Sequence, residues 1–440
     1  MHPRLRRALS IFMLLSVVGT VFAACGSGAG TASNSNGSGG TGTNCGNVQL
    51  SYWNPFTGPD GPYMSRLVSS FNSSQSSVKV QMTTQAEYPT KLDTAAASDT
   101  LPDIAIINED QIATEAFRHI IRPMDAYLSQ LGYSSSDFPS LAWNISQVAG
   151  KRYAVPLSIV PMTMYYNADL LKKAGISSPP KTATDFAAAA AATTGNGQHG
   201  FQITTGFPVQ QIFQQLLHQY GGSEFSSDGT QATWNSAAGA QALQWMKDAQ
   251  GKYSAPKLPV DADLNSFKSG KVGMIWNGIW QATNLTGQGV DFSGQAAGVP
   301  QIGTQPAIWA GMASLALPVH KKGVDKCKDT GAITFIKYLE TNAVQWSQAG
   351  NVPAYNTARN SSQLKALPLQ SALAPSVEHP VFPPAIPGVS DAFTPLTDAI
   401  GAIMAGTSSD IKGTLDKAAS RANQILAQNK QKYGSAPTSS

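Results

Sequence analysis

The residues of this 440-residue chain that could do chemistry are two close carboxylate pairs, Glu109-Asp110 and Asp261 with Asp263, a handful of scattered histidines, and the three cysteines Cys25, Cys45 and Cys327. A glycosidase needs two carboxyl groups flanking a glycosidic bond, about 5–10 Å apart. Both acid pairs are places to look for such a dyad, although ordinary solvated carboxylates read the same way along a chain. Two stretches match G-x-G-x-x-G, at Gly37–Gly42 and Gly195–Gly200. Neither follows a strand and opens a helix as dinucleotide binding requires. There is no Walker-type Gly-Lys-Ser/Thr, no G-x-S-x-G, no H-E-x-x-H and no C-x-x-C. The reading is therefore of a protein that is not an enzyme, with no cofactor and no metal.

The cysteines point elsewhere. Arg4, Arg6 and Arg7 precede an apolar run from Ala8 to Phe22, and Ala23 and Ala24 precede Cys25. That is the order of a secretory signal. The segment Val21-Phe22-Ala23-Ala24-Cys25 resembles a bacterial lipobox, in which the cysteine is acylated and becomes the new N-terminus. Residues 1–24 are thus expected to be a signal peptide. Residues 25–44, made of Gly, Ser, Thr, Asn and Ala after the cysteine, are expected to be a flexible tether of about 25 Å. No later run is long and apolar enough for a membrane span. The expected location is extracytoplasmic, lipid-anchored at the outer face of the cell membrane.

Of the 30 Lys+Arg residues three lie in the signal, leaving 27 against 26 Asp+Glu. A near-neutral mature chain without a Lys/Arg cluster excludes nucleic acid as a partner. About four hundred residues exceed one core, so two lobes are expected. Strand patterns at Val48–Trp53, Val78–Met82, Ile104–Ile107, Met162–Tyr166, Val272–Trp276 and Ser314–Leu317 alternate with helical patterns. The helical patterns are Met64–Phe71, Pro89–Ala97, Ala168–Ala174, the stretch capped by Thr182 and Asp185, Ile333–Leu339 and Ile411–Ala427. The class is α/β, and there is no internal repeat.

Read in order, these elements carry short motifs. They are Ser51-Tyr52-Trp53-Asn54-Pro55-Phe56-Thr57-Gly58, Tyr88-Pro89-Thr90-Lys91-Leu92 with Leu101-Pro102-Asp103-Ile104, Gly150-Lys151-Arg152-Tyr153-Ala154-Val155-Pro156, and Tyr165-Tyr166-Asn167-Ala168-Asp169-Leu170-Leu171. Then follow Pro179-Pro180-Lys181-Thr182, Phe267-Lys268-Ser269-Gly270-Lys271-Val272-Gly273-Met274, Gly278-Ile279-Trp280 and Ala349-Gly350-Asn351-Val352-Pro353-Ala354. In this order they resemble the family 1 extracellular solute-binding proteins, the sugar-capturing lipoproteins of ABC importers of the maltose-binding-protein type. The resemblance covers nearly all of the mature chain.

What it implies is a two-lobed, type II periplasmic-binding-protein-like α/β fold with three interlobe crossings and the ligand in the cleft. The expected division is 45–124 with 303–352 as the N-lobe, 125–302 with 353–435 as the C-lobe, and 436–440 as a tail. It implies ligand contacts from Asp110, Tyr166 and Trp280, and more loosely from Phe56, Asp60, Trp276, Trp309 and Gly311. A sugar's apolar faces lie on aromatic rings, while its hydroxyls need fixed donors and acceptors. Cys45 and Cys327 both fall where the family places the first lobe, so a bridge is expected, against the alternative of two separate thiols.

The implied partners are a carbohydrate, the permease subunits of an importer, and the membrane through the anchor; a monomer is expected. The loop Asn108-Glu109-Asp110-Gln111 lacks the basic residue that some maltose-type relatives carry beside the acid. Open alternatives are a non-sugar solute on the same fold (a polyol, glycerol phosphate, or iron held by Tyr165 and Tyr166), a secreted carbohydrate-active enzyme, and a sensor that presents its bound ligand to a receptor.

Overall fold

The computed structural model describes residues 45–378 and 380–433. The signal peptide, Cys25 and the tether lie outside the described residues, as does the 436–440 tail. Twelve strands are formed: β1 Val48–Asn54, β2 Val78–Thr84, β3 Ile104–Asn108, β4 Gln147–Val148, β5 Lys151–Arg152, β6 Ala154–Asn167, β7 His199–Gln202, β8 Val272–Gly278, β9 Gly294–Gly298, β10 Ile308–Ala316, β11 Val352–Pro353 and β12 Pro380–Val381. Ten of them make one hydrogen-bonded sheet along the path β2-β1-β3-β10-β6-β8-β7, with β9 and β11 on β6 and β12 on β10.

One strand explains how two lobes share that sheet. At 14 residues β6 is long enough to extend about 46 Å. Its first half pairs with β10, and its second half, Met162–Asn167, pairs with β8 and β9. All of β6 is buried except Val160, so it reads as a continuous apolar run. Ala313 faces Ser158 while Ser314 faces Pro156, which leaves Leu157 as an extra residue beside a proline that has no N–H to give. The partners change over at Pro161 and Met162.

The cores confirm two lobes. The first gathers Leu50, Tyr52, Phe71, Ile104–Ile107, Leu315, Phe335 and Trp346. The second gathers Met162, Met164, Phe186, Phe213, Trp234, Trp276, Phe393 and Ile400. A smaller cluster around Tyr165, Phe267 and Ile275 covers the other face of the second lobe's strands. Met164 and Tyr165 enter different clusters because neighbouring strand residues point to opposite faces.

Among the described residues the chain passes between cores within β6 between Ile159 and Met162, at the start of β10 between Trp309 and Ala310, and between Val377 and Val389, while Ile279, just past β8, also packs in the first core. These positions correct the expected division. Residues 125–160 and 353–377 were assigned to the second lobe, yet Leu131, Phe138, Trp143, Ile145, Val155, Ala354 and Val377 all pack in the first core. The physical reason is Arg152. Its guanidinium donates to the Trp143 carbonyl at 2.7 Å and lies 3.3 Å from the centre of the Trp143 ring, while the Arg152 carbonyl accepts from the Met124 N–H at 2.7 Å. Position 124 therefore lies inside the first lobe and is not its boundary.

Cys45 and Cys327 are bridged, with Cα atoms 5.3 Å apart. The expected strands and helices are all present. Gly175 closes its helix at φ +80°, a left-handed position that favours glycine, and the Thr182 hydroxyl accepts from the Asp185 N–H at 3.2 Å.

Candidate ligand-binding site

β1, β2 and β3 run parallel, so their carboxyl ends, at Asn54, Thr84 and Asn108, share one edge. β10 is antiparallel to β3 and brings its first residues, Ile308 to Met312, to that edge. In the second lobe β7 and β8 are parallel and end together at Gln202 and Gly278. Gly278 faces Met162, directly past the crossing in β6. The carboxyl edges of both lobes thus converge on the crossings, the place where open α/β sheets bind ligands.

On the first-lobe side the turn after β1 is held by the Asn54 side chain, which accepts from Phe56 N at 3.0 Å and Thr84 Oγ1 at 3.2 Å. It presents a half-buried Phe56, whose ring centre is 4.8 Å from that of Trp346. Asp60 is buried at the start of the next helix, and burial pushes its carboxyl up to about 6. At the end of β3, Glu109 is 8 % exposed. Its Oε2 accepts the Met312 N–H at 2.6 Å. Burial, reinforced by the neighbouring Asp110 charge, pushes its carboxyl up to about 8. Burial also raises Asp110, whose backbone carbonyl accepts from Ser390 Oγ at 3.1 Å.

At the crossings, Gly311 lies opposite Val160. A Cβ on Gly311 would sit 3.1 Å from Val160 Cγ2, 3.3 Å from Trp309 Cη2 and 3.9 Å from Glu109 Oε1. The missing side chain leaves a notch ringed by an aliphatic group, an indole edge and a carboxyl oxygen. The backbone N–H of Trp309 is steadied by Gln215 Oε1 at 3.3 Å.

On the second-lobe side the Trp280 ring folds back over Gly278, so closely that any Cβ there would meet ring atoms at 1.9 Å. Its centre is 6.1 Å from that of Phe207, at 30°. Phe207 is 46 % exposed and Val260 is 50 % exposed, and Val260 lies against Gly206. Exposed aromatic surface of this kind at a strand edge marks an interaction site. Sequence reading missed Phe207 and Val260. The available signal was Gly206-Phe207-Pro208, an aromatic in a tight segment just past the end of a strand.

Two expected contacts are placed differently. Trp276 is 1 % exposed, stacked at 15° on Trp245 and packed against Phe186 and Phe201 in the second core. It is a packing residue because Met274 and Trp276, two apart on β8, face the second core, while Ile275 between them faces the smaller cluster. Tyr166 is also buried in that core, its hydroxyl donating to Gln295 Oε1 at 2.7 Å. The Tyr165 hydroxyl donates to the Gly278 carbonyl at 2.8 Å on the opposite face, so the two phenols do not converge as an iron chelate would need. Among the described residues no group of three or more His, Cys, Asp and Glu is placed to hold a metal, and no helix is long and apolar enough to cross a membrane.

A separate cavity of about 610 Å³ opens at the amino end of β3, beside Ser51, Asp103, His320 and Lys328. Two ion pairs line it: Lys328 Nζ lies 2.8 Å from Asp103 and Arg122 pairs with Asp329.

The family model described as bacterial extracellular solute-binding protein matches residues 66–372. A maltodextrin-binding protein of Bacillus subtilis is 26 % identical over 311 residues, 65 % of this chain and 69 % of that protein. A putative binding protein of Brucella abortus is 28 % identical over 191 residues, and the chain spans about half of its length, 46 %. The GacH receptor of Streptomyces glaucescens superimposes with a TM-score of 0.75 at 21 % identity, covering 88 % of this chain and 99 % of that one. UgpB of Mycobacterium tuberculosis, in complex with glycerophosphocholine, gives 0.76 at 19 % identity, covering 87 % and 99 %. Those two share the fold. With most of its length matched by the family model, this chain belongs to the bacterial extracellular solute-binding proteins.

Proposed function

We propose that the protein captures a carbohydrate between its lobes and delivers it, unaltered, to the membrane subunits of an ABC importer. The observation that carries this reading is the pair formed by half-buried Trp280 and exposed Phe207 at the carboxyl edge of the second lobe. Across the crossings from it lie the Gly311 notch and the buried acids of the first lobe. An apolar platform opposite fixed polar groups suits a sugar ring, which offers C–H faces and a rim of hydroxyls. The maltodextrin-binding relative supports the same class. Phe56, Asp60, Asp110, Trp309 and Gly311 complete the proposed contact set, with Tyr166 behind it through Gln295.

A phosphate-bearing solute, suggested by the sn-glycerol-3-phosphate-binding relatives, fits less well. An anion would have to enter beside Glu109 and Asp110, on which no cation acts among the described residues. Cys25 is proposed as the lipid attachment site and residues 26–44 as the tether, with the protein acting as a monomer. A Cys25→Ser variant should be recovered unlipidated and soluble; membrane-bound, acylated protein would refute the anchor.

The reading is tested by a thermal-shift screen over sugars, polyols and glycerol phosphate. A ligand that binds the folded state raises its melting temperature. A rise with sugars alone is expected, and a rise with glycerol phosphate alone would overturn the carbohydrate class.

A further inference from the structure

Resting on the carbohydrate reading, we propose that the ligand carries a protonated amine, as in an amino sugar or amine-bearing glycoside, and that its ammonium group seats against Glu109 in the notch beside Gly311 and Trp309. Nothing in the comparisons assigns Glu109 a role, and the resemblance points to its neighbour Asp110 instead.

The case starts from a carboxyl group that is more than nine-tenths buried and only half satisfied. Met312 N–H holds Oε2 at 2.6 Å and so fixes the plane of the group. Beyond its own main chain, Met312 is the one hydrogen-bonding partner of the carboxyl among the described residues, and Oε1 reaches the space left by the missing Cβ of Gly311, where the Trp309 indole forms a second wall. A carboxylate oxygen and an aromatic edge facing one small void are the two features that attract a cation.

The surrounding charges make the same point. Asp110 follows Glu109 in the chain and repels it. Glu115, on the next helix, is buried with Oε2 unpartnered and feels Asp93, Asp110 and Asp391 as well as Arg118. Asp60 is buried at the end of the turn after β1. Arg118 is the cation acting on Glu115, its Nη1 4.0 Å from Glu115 Oε1, and it is shared: Nη1 also lies 2.9 Å from Asp93 and Nε donates to the Tyr433 hydroxyl at 2.9 Å. The edge therefore has more carboxyls than Arg118 balances, and no cation acts on Glu109 itself among the described residues.

Burying uncompensated carboxyls is costly, and the protein lowers that cost by holding Glu109 protonated. A neutral sugar would leave this situation unchanged. An ammonium group would supply the missing charge, and the Glu109 proton would leave to solvent, so that Glu109 ends as a carboxylate paired with the ligand.

The experiment is calorimetric titration of the full chain at about pH 6.5, where the amine of glucosamine is charged. The probes are glucosamine and its β-1,4-linked dimer, their N-acetylated forms, glucose and cellobiose, with maltose and maltotriose as neutral references. The expected result is that an amine probe binds at least tenfold more tightly than its N-acetylated form. Titrations in buffers of different ionisation enthalpy should show release of about one proton per amine bound. Glu109→Gln should abolish the preference while leaving a folded protein. Should that variant fail to fold, the proton count on the unaltered protein still decides.

Neutral sugars binding as tightly as amines, or amine binding without proton release, would overturn the proposal and leave the carbohydrate reading standing. If no sugar of either kind binds, the carbohydrate reading itself falls and this proposal falls with it.

Discussion

The two ends of β3 carry two carboxyl groups of equal burial and opposite character. Asp103, at the amino end, is 8 % exposed and accepts from Ser51 N at 2.7 Å, Ser51 Oγ at 2.8 Å and Lys328 Nζ at 2.8 Å. Lys328 and these hydrogen bonds outweigh the desolvation that would raise it and hold its carboxyl below the ordinary range. Glu109, at the carboxyl end, is equally buried, keeps one partner and is driven upward. Burial alone does not distinguish a structural acid from one held ready for a ligand. The number of partners does, and here it follows the direction of the strands.

The largest expected effect lies at the structural end, where Cys45–Cys327 closes a loop spanning 282 residues. On the loop-entropy account, loss of the bridge costs on the order of 5 kcal/mol. A Cys327→Ser variant should melt far lower while binding ligand with native affinity when folded. An unchanged melting temperature would show that the bridge stabilises little.

Next come two tryptophans four residues apart. Trp276→Ala empties a core site and should cost about 3–5 kcal/mol of stability. Trp280→Ala should cost about 2–4 kcal/mol of binding, roughly 30- to 1,000-fold in affinity, with a small change in melting. Denaturant melts and calorimetric titration of both variants separate the roles. Near-native affinity in folded Trp280→Ala would move the platform to Phe207 and Trp309.

A smaller effect belongs to Asp103→Asn, which breaks a half-exposed ion pair but also strips a charge from the Ser51 hydrogen bonds; about 2 kcal/mol of stability should go. Because the folded carboxyl titrates below its ordinary value, that stability is present above about pH 4 and lost as pH falls through the folded value. The variant and the parent should converge in acid, and parallel curves would contradict the assignment.

The least effect at acid pH comes from Glu109→Gln, within about 1 kcal/mol, since a protonated acid and an amide are near-isosteric. Its sign then reverses the Asp103 case. With the folded group at about 8 against an ordinary 4.5, the stability it allows is complete below 4.5 and lost as pH rises toward 8. The variant should therefore become progressively more stable than the parent across that window, and no divergence would mean that Glu109 is ionised in the fold.

The motif order made the family readable from the chain, and turn and capping chemistry made most elements readable. Gly175 past its helix and Thr182 before the next are local signals, because the backbone groups they satisfy lie within four residues. The boundary expected at 124 was misplaced for the same reason: the contacts of Arg152 with Trp143 and Met124 that keep the following segment in the first lobe are not local. Among the site residues, Trp276 and Trp280 look alike in sequence. Only the pairing of β8 against β6 places the first in the core and leaves the second at the edge.

By itself, then, the sequence determined the α/β class, the expectation of two lobes and the nearly neutral charge, because these follow from periodicity, length and composition. Which of two adjacent acids faces the notch, which aromatics stay exposed, and that Cys45 meets Cys327 were decided by tertiary structure alone. Each depends on strands and helices brought together from far apart in the chain, as when Met312 N–H reaches Glu109 across 203 positions, and no local pattern encodes such a meeting.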